Sequence, residues 1–261
     1  MRIITWNMKG ADAKSAAWDY FSSLAPDIAL LQEVVEIPES IRRSYESRTH
    51  KALRRNRSPQ RFGTAVLVKG AIVAELPLTS EYEWVNRALE HFSGNLVGYV
   101  TQPIGGTVFN AISVYSPAWP IARQYYEGID VSPVKLRKNR DVYLTELLWS
   151  VLKSTDLSGA PWIIAGDLNS SETFDATFGS GNAEILERMH DLGLTECLRA
   201  HNGRLVPTFR NSRGGKVLHQ MDHLFVTGEL YTKVEHCATG KQETVFGQSL
   251  SDHVPIIADI Q

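Results

Sequence analysis

Short apolar runs alternate with polar breaks along this chain, and two periods are legible in them. Residues 2–7 read as a strand centred on Ile3-Ile4-Thr5-Trp6. Ala16, Ala17, Tyr20, Phe21 and Leu24 then recur at helical spacing until Pro26-Asp27 breaks the pattern. Ile28-Ala29-Leu30-Leu31 is apolar on both faces, which predicts a buried strand carrying Gln32-Glu33 at its C-terminal end. Further β-rich runs cover 62–68, 71–76, 95–102 and 106–115. Residues 140–153 predict a long helix on Val142, Leu144, Leu147, Leu148 and Val151. Trp162-Ile163-Ile164-Ala165 is a second buried strand, ending in Gly166-Asp167-Leu168-Asn169. A helix is expected at about 182–192, and strands at 220–227, 231–238 and 254–260.

Interspersed strands and helices with hairpin-like strand pairs imply a layered α/β fold with mixed sheets. No repeat and no Pro/Gly/Ser-rich linker divides the 261 residues, so a single domain over 1–261 is expected. A composition of 43% hydrophobic and 21% charged residues excludes a disordered chain, and this length supports a large core without disulfides. Net charge −2 excludes a wholly basic nucleic-acid coat but leaves room for a local basic patch. Cys197 and Cys237 stand far apart with no CxxC spacing, so they read as buried thiols rather than a zinc cage. No run of eighteen apolar residues is present, and a strand pattern directly after Met1-Arg2 leaves no room for a signal peptide. A cytoplasmic protein without a membrane span or an obligate protein partner is expected.

One stretch departs from this balance. Arg42, Arg43, Arg48, Lys51, Arg54, Arg55, Arg57 and Arg61 crowd one segment against only Glu46. The segment is either a solvated loop and helix face or a phosphate-binding lip, in which case Arg54, Arg55 and Arg57 would contact phosphates. Lys135, Arg137, Lys138 and Arg140 pose the same choice.

Five polar islands sit at strand ends: Thr5-Trp6-Asn7, Gln32-Glu33, Gly166-Asp167-Leu168-Asn169, Met221-Asp222-His223 and Ser251-Asp252-His253-Val254-Pro255. A rigid sheet holds such groups convergently. Mg²⁺ takes one or two carboxylates plus waters and substrate oxygens, which Glu33 with Asn7 and Asp252 would provide. Asp167 could orient a water while Asn169 donates to a phosphate oxygen. Asp222 and His253 form a carboxylate–imidazole pair in which Asp222 sets the tautomer and stabilises the imidazolium.

The order TWN, QE, the tyrosine of VYSP, GDLN, a late MDH and a terminal SDHVPI resembles the endonuclease/exonuclease/phosphatase superfamily, from Thr5 to Pro255. That resemblance implies a four-layer α/β sandwich, with two mixed sheets face to face, helices outside and the site at one edge. It implies Glu33 as the main Mg²⁺ ligand (Mn²⁺ being a possible substitute), with Asn7 at metal and phosphate and Asp252 as a further carboxylate. Asp167 would position or activate the attacking water, Asn169 would contact the scissile phosphate, and Asp222–His253 would be the dyad. Tyr115 matches the tyrosine of AP endonucleases. The chain departs from their pattern at Ser116-Pro117-Ala118-Trp119-Pro120, which carries no amide, and at Pro207-Thr208-Phe209, where relatives have tryptophan.

The expected function is metal-dependent phosphodiester hydrolysis by in-line water attack on a DNA or RNA backbone. Asp167 is favoured over His253 as base, because a histidine paired to Asp222 is held protonated. The alternatives are a phosphatase or phosphodiesterase for a small molecule or lipid headgroup, and an inactive phosphate-binding module.

Overall fold

The computed structural model describes residues 1–175, 181–211 and 215–261. Its strands are β1 (Arg2–Ala11), β2 (Ile28–Val34), β3 (Glu46–Leu53), β4 (Pro59–Val68), β5 (Gly70–Glu75), β6 (Leu96–Pro103), β7 (Phe109–Tyr115), β8 (Trp162–Asp167), β9 (Leu194–Glu196), β10 (Phe209–Arg210), β11 (Val217–His219), β12 (Asp222–Thr227), β13 (Val234–Thr239) and β14 (Ile256–Ile260). One sheet runs β13-β14-β1-β2-β4-β3 and the other β5-β6-β7-β8-β12-β9, with β10-β11 a separate hairpin. Each large sheet is antiparallel except for one central parallel pair, β1 with β2 and β7 with β8. Parallel neighbours need a crossover. The helix Ala17–Leu24 lies in the first and the helix Leu144–Lys153 in the second.

Alternation along the strands builds three apolar layers. Ile3, Ile28, Leu30, Val66 and Val68 of one sheet meet Phe109, Ala111, Ile163, Ala165 and Leu224 of the other. The intervening residues Ile4, Trp6, Ala29 and Leu31 face outward under Trp18 and Phe21 of the first crossover helix. Ile112, Val114, Ile164 and Phe225 pack under Val85, Leu147, Leu148 and Ile185 on the opposite face. This is the four-layer α/β sandwich that the sequence predicts. Among the described residues no helix is long and apolar enough to cross a membrane.

Element boundaries shift for local reasons. The helix expected from 140 begins at Leu144, because the Glu146 carboxylate accepts the Tyr143 N–H at 2.6 Å and the Leu136 N–H at 2.7 Å and so caps the first turn. The run expected at 106–115 pairs only from Phe109, after a turn with Gly105 at φ 70°. The run at 231–238 starts with the short helix Gly228–Tyr231, and β13 follows it. The basic segment is neither a loop nor a helix face throughout. It contains the helix Glu39–Arg42, the edge strand β3 and a turn into β4. An edge strand keeps one side in water, so β3 carries polar residues that hide its strand character.

Gly166 sits where β8 pairs most tightly with β7. Its φ is 154°, and a Cβ there would drive into the Val114 carbonyl. Gly166→Ala is therefore expected to destabilise the protein by at least about 2 kcal/mol, measured by urea unfolding.

Candidate active site

The two parallel pairs end on the same edge of the sandwich, and strand carboxyl ends in such sheets leave a crevice for ligands. Asn7, Glu33, Tyr115 and Asp167 stand at or near the ends of β1, β2, β7 and β8. Antiparallel neighbours bring their first residues to that edge. Asp222 of β12 registers with Asp167, and the segment Ser251–Val254 lies before β14, which pairs antiparallel with β1. Islands from the whole length of the chain thus converge by strand direction alone.

Strain marks the same edge. Lys9 (φ 50°), Glu33 (φ 53°) and Asn169 (φ 48°) are left-handed, which is uncommon for residues other than glycine. The pairing of β2 with β1 and β4 also loses register around Gln32 and Glu33. The irregularity interrupts the alternation just where the chain delivers Glu33.

Asp167 is the hub. Its Oδ2 accepts from Asn7 Nδ2 at 3.0 Å and from Asn169 Nδ2 at 3.2 Å, and its Oδ1 accepts the Asn169 N–H at 2.9 Å. Asn169 spends its other amide hydrogen on the Ser116 carbonyl at 2.7 Å. Both amide hydrogens of Asn169 are thus engaged, one of them orienting Asp167. Asn7 also reaches Glu33 Oε1 at 3.4 Å, while its Oδ1 accepts the Lys9 N–H at 3.0 Å. Phe62 meets the Tyr115 ring edge-on at 5.3 Å.

His253 Nδ1 lies 2.8 Å from Asp222 Oδ2, which sets the ring so that Nε2 faces Asp167 Oδ2 across 3.9 Å. That separation is too long for a hydrogen bond and too short to admit an atom between the two, so the donor and the acceptor stand side by side. Supports that the sequence reading missed fix the dyad. Thr208 Oγ1 accepts the N–H groups of Met221 and Asp222 at 3.0 and 3.1 Å. Ser251 Oγ accepts the His253 N–H at 3.1 Å and donates to the Asn7 carbonyl at 2.7 Å. Trp6 Nε1 donates to the His253 carbonyl at 2.8 Å, and the Phe209 ring lies 4.8 Å from the imidazole. Trp6, Thr208 and Ser251 all fall inside the quoted motifs, and only their contacts were unreadable.

Electrostatics separate the protonation states. Burial opposes a charged His253, but Asp222, Asp167 and Asp252 outweigh it and push the imidazole up to about 10. Burial raises Asp167, against the charge of His253, and Asp222 raises it further. Burial also raises Glu33, partly offset by Asn7 and His253. Burial and the charges of Glu33 and Asp167 keep the Tyr115 phenol protonated far above neutrality. The edge therefore presents an imidazolium, a phenol donor and four carboxyl groups, Glu33, Asp167, Asp222 and Asp252.

The donor set suits a hard cation. Among the described residues no Lys or Arg pairs with Glu33, whose burial already disfavours its charge, and the buried Asp222 Oδ1 has no hydrogen-bond partner. Asp167, Asp222 and His253 bring one ligand atom each within 4.8 Å of one another. A cation seated there would compete with the proton that His253 shares with Asp222, so the Glu33 side fits a cation better. Asp252 of the expected metal set pairs with Lys9 at 3.4 Å. Cys197 and Cys237 are buried in the inter-sheet core, away from this edge.

The basic segments divide by what they hold. Arg57 is committed to the Tyr125 hydroxyl, to which its Nε donates at 3.0 Å, and its guanidinium lies over the ring at 5.4 Å. Tyr125 bonds His91 Nδ1 at 2.9 Å, and His91 Nε2 meets the Arg54 carbonyl at 2.9 Å. This clamp fastens the β3–β4 turn to the connection that follows Tyr115, with Arg57 as one of its members. Arg54 and Arg55 are exposed beside it. In the second cluster, Lys135 bonds the Asn139 carbonyl at 2.6 Å and Arg137 pairs with Glu184 at 3.3 Å, so these two hold the crossover connection together.

Solved structures share this architecture. An AP endonuclease from Archaeoglobus fulgidus superposes with a TM-score of 0.71 at 17% identity, covering 100% of this chain and 99% of that one. The catalytic domain of APE2 from Xenopus laevis gives 0.68 at 19%, covering 100% and 91%. A 3' phosphatase from Neisseria bound to a product DNA hairpin gives 0.66 at 17%, covering 100% and 99%. Among curated proteins no sequence matches the chain. The Endonuclease/Exonuclease/phosphatase family matches residues 4–253, a span that holds the first four islands whole and the fifth as far as His253. The chain belongs to that family of phosphoester hydrolases.

Proposed function

We propose that this protein is a divalent-metal-dependent nuclease, hydrolysing phosphodiesters of a DNA or RNA backbone within its one domain, residues 1–261. The observation that carries the reading is the His253–Asp222 pair facing Asp167 across 3.9 Å. An imidazolium donor and an oriented carboxylate thereby stand side by side at the edge, where one can donate to a phosphoryl group and the other can accept from a water lying over them. Asp167, held by three N–H donors, accepts a proton as the water oxygen attacks phosphorus. The bond from phosphorus to the leaving oxygen breaks, that oxygen takes a proton from bulk water, and the proton on Asp167 passes back to solvent. His253 Nε2–H and the Tyr115 hydroxyl donate to phosphoryl oxygens as their charge grows. Glu33, with Asn7 beside it, would hold Mg²⁺ or Mn²⁺, which would supply Lewis-acid charge to the phosphoryl group.

A nucleic-acid substrate is favoured by the exposed Arg54 and Arg55 on a turn clamped to the loop after Tyr115. A structural neighbour bound to product DNA supports the same choice. The test is a panel of plasmid, abasic duplex, single strands, RNA, bis-p-nitrophenyl phosphate and inositol phosphates, each with Mg²⁺ and with EDTA. Metal-dependent cleavage confined to the small esters would reject the nuclease and leave the phosphatase alternative. Changing Arg54 and Arg55 together to Ala is expected to weaken DNA binding and to flatten its salt slope by roughly 2 units, read from Kd against salt concentration.

A further inference from the structure

Lys9 lies two residues beyond Asn7, and its backbone is left-handed at φ 50°. That turn is held by the Lys9 N–H, which donates to Asn7 Oδ1 at 3.0 Å. The side chain is thereby delivered to the mouth of the site, where Nζ lies 3.4 Å from Asp252 Oδ2. Both side chains are partly exposed, at 54% and 24%, so the pair adds little to stability. A contact that contributes so little to the fold, yet is built on an unusual backbone conformation, points to a role in the charge of the site.

The charges around this edge can be counted. Glu33, Asp167, Asp222 and Asp252 are its carboxylates, and His253 and Lys9 are its resident cations. With all four ionised, at most two negative charges remain unmatched, which is the charge of one divalent ion, and the burial of Glu33 and Asp167 makes that an upper bound. Without the ammonium three would remain, and Asp252 would be open to ligate a cation alongside Glu33, whose carboxylate it already influences through space.

We propose that Lys9 is the resident second cation of this centre: it neutralises Asp252 and restricts the site to one divalent ion. The proposal rests on the metal reading above. It assigns Asp252 to Lys9 rather than to a metal, and it makes Lys9 a positioning residue that sets the number of ions.

Mn²⁺ titration of metal-free protein, followed by the electron paramagnetic resonance of the free ion, tests this without any turnover. Wild type and Lys9→Arg should each bind one Mn²⁺. Lys9→Gln should bind a second ion and hold the first about tenfold more tightly, since a repelling charge nearby has gone. Lys9→Asn, whose side chain tolerates the left-handed backbone, should behave as Lys9→Gln does and guards against a folding artefact. One equally bound ion in all four proteins would overturn the proposal and leave the metal reading standing. Two ions in wild type would likewise overturn the proposal alone. No bound ion in any of them would overturn the metal reading and the proposal together.

Discussion

Changing Glu33 to Gln is expected to slow phosphodiester hydrolysis at least about a thousandfold while the protein keeps its fold. A carboxylate that holds a catalytic cation is worth several kcal/mol of transition-state stabilisation, and each 1.4 kcal/mol is about tenfold in rate. The fold should be spared because no Lys or Arg among the described residues pairs with Glu33, and its polar partners are the neutral side chains of Asn7, at 3.4 Å, and Tyr115. Burial already raises the pKa of this carboxyl, so its charge is held against the preference of its surroundings. Metal-free Glu33→Gln should accordingly melt at the wild-type temperature or slightly above it. Calorimetric titration with Mg²⁺ checks the cause directly. Wild-type affinity in the variant would remove Glu33 from the metal site, and EDTA should reproduce the loss of activity in the wild-type protein.

His253→Ala and Asp222→Ala are each expected to cost about 10³–10⁴ in rate, and the double variant should be little worse than the worse single one. The 2.8 Å contact makes the two side chains one unit, in which Asp222 keeps the imidazole both charged and aimed at Asp167. Fully additive losses would show that they act separately. The pair also links stability to pH. Because folding raises His253 to about 10, its contribution is complete below the ordinary histidine value near 6.5 and is lost as pH rises through about 10. The stability gap between wild type and Asp222→Asn should therefore be widest near neutrality and narrow in alkali, which unfolding between pH 7 and 10.5 would show.

Much of this was legible in the residues themselves. Runs such as Ile28–Leu31 and Trp162–Ala165 are apolar on both faces, which is what a strand covered by layers on either side requires, and each ends in the polar pair that the site uses. Local chemistry also located the crossover helices and the late strands to within a few residues. What escaped was information that no short window carries. The edge strand β3 reads as a basic loop, because one of its sides never leaves water. Nothing near Arg57 announces Tyr125 and His91, which come from other elements and make it part of a clamp. The sequence does not show that the two amide hydrogens of Asn169 lie on Asp167 and Ser116. The partner of Asp252 is equally invisible, because Lys9 reaches it only through a left-handed turn more than two hundred residues away in sequence. Periodicity and residue type therefore determine by themselves the layers, the strand ends and the kinds of group delivered there. The partner that each of those groups takes depends on strand direction, register and backbone twist, and only the folded chain decides it.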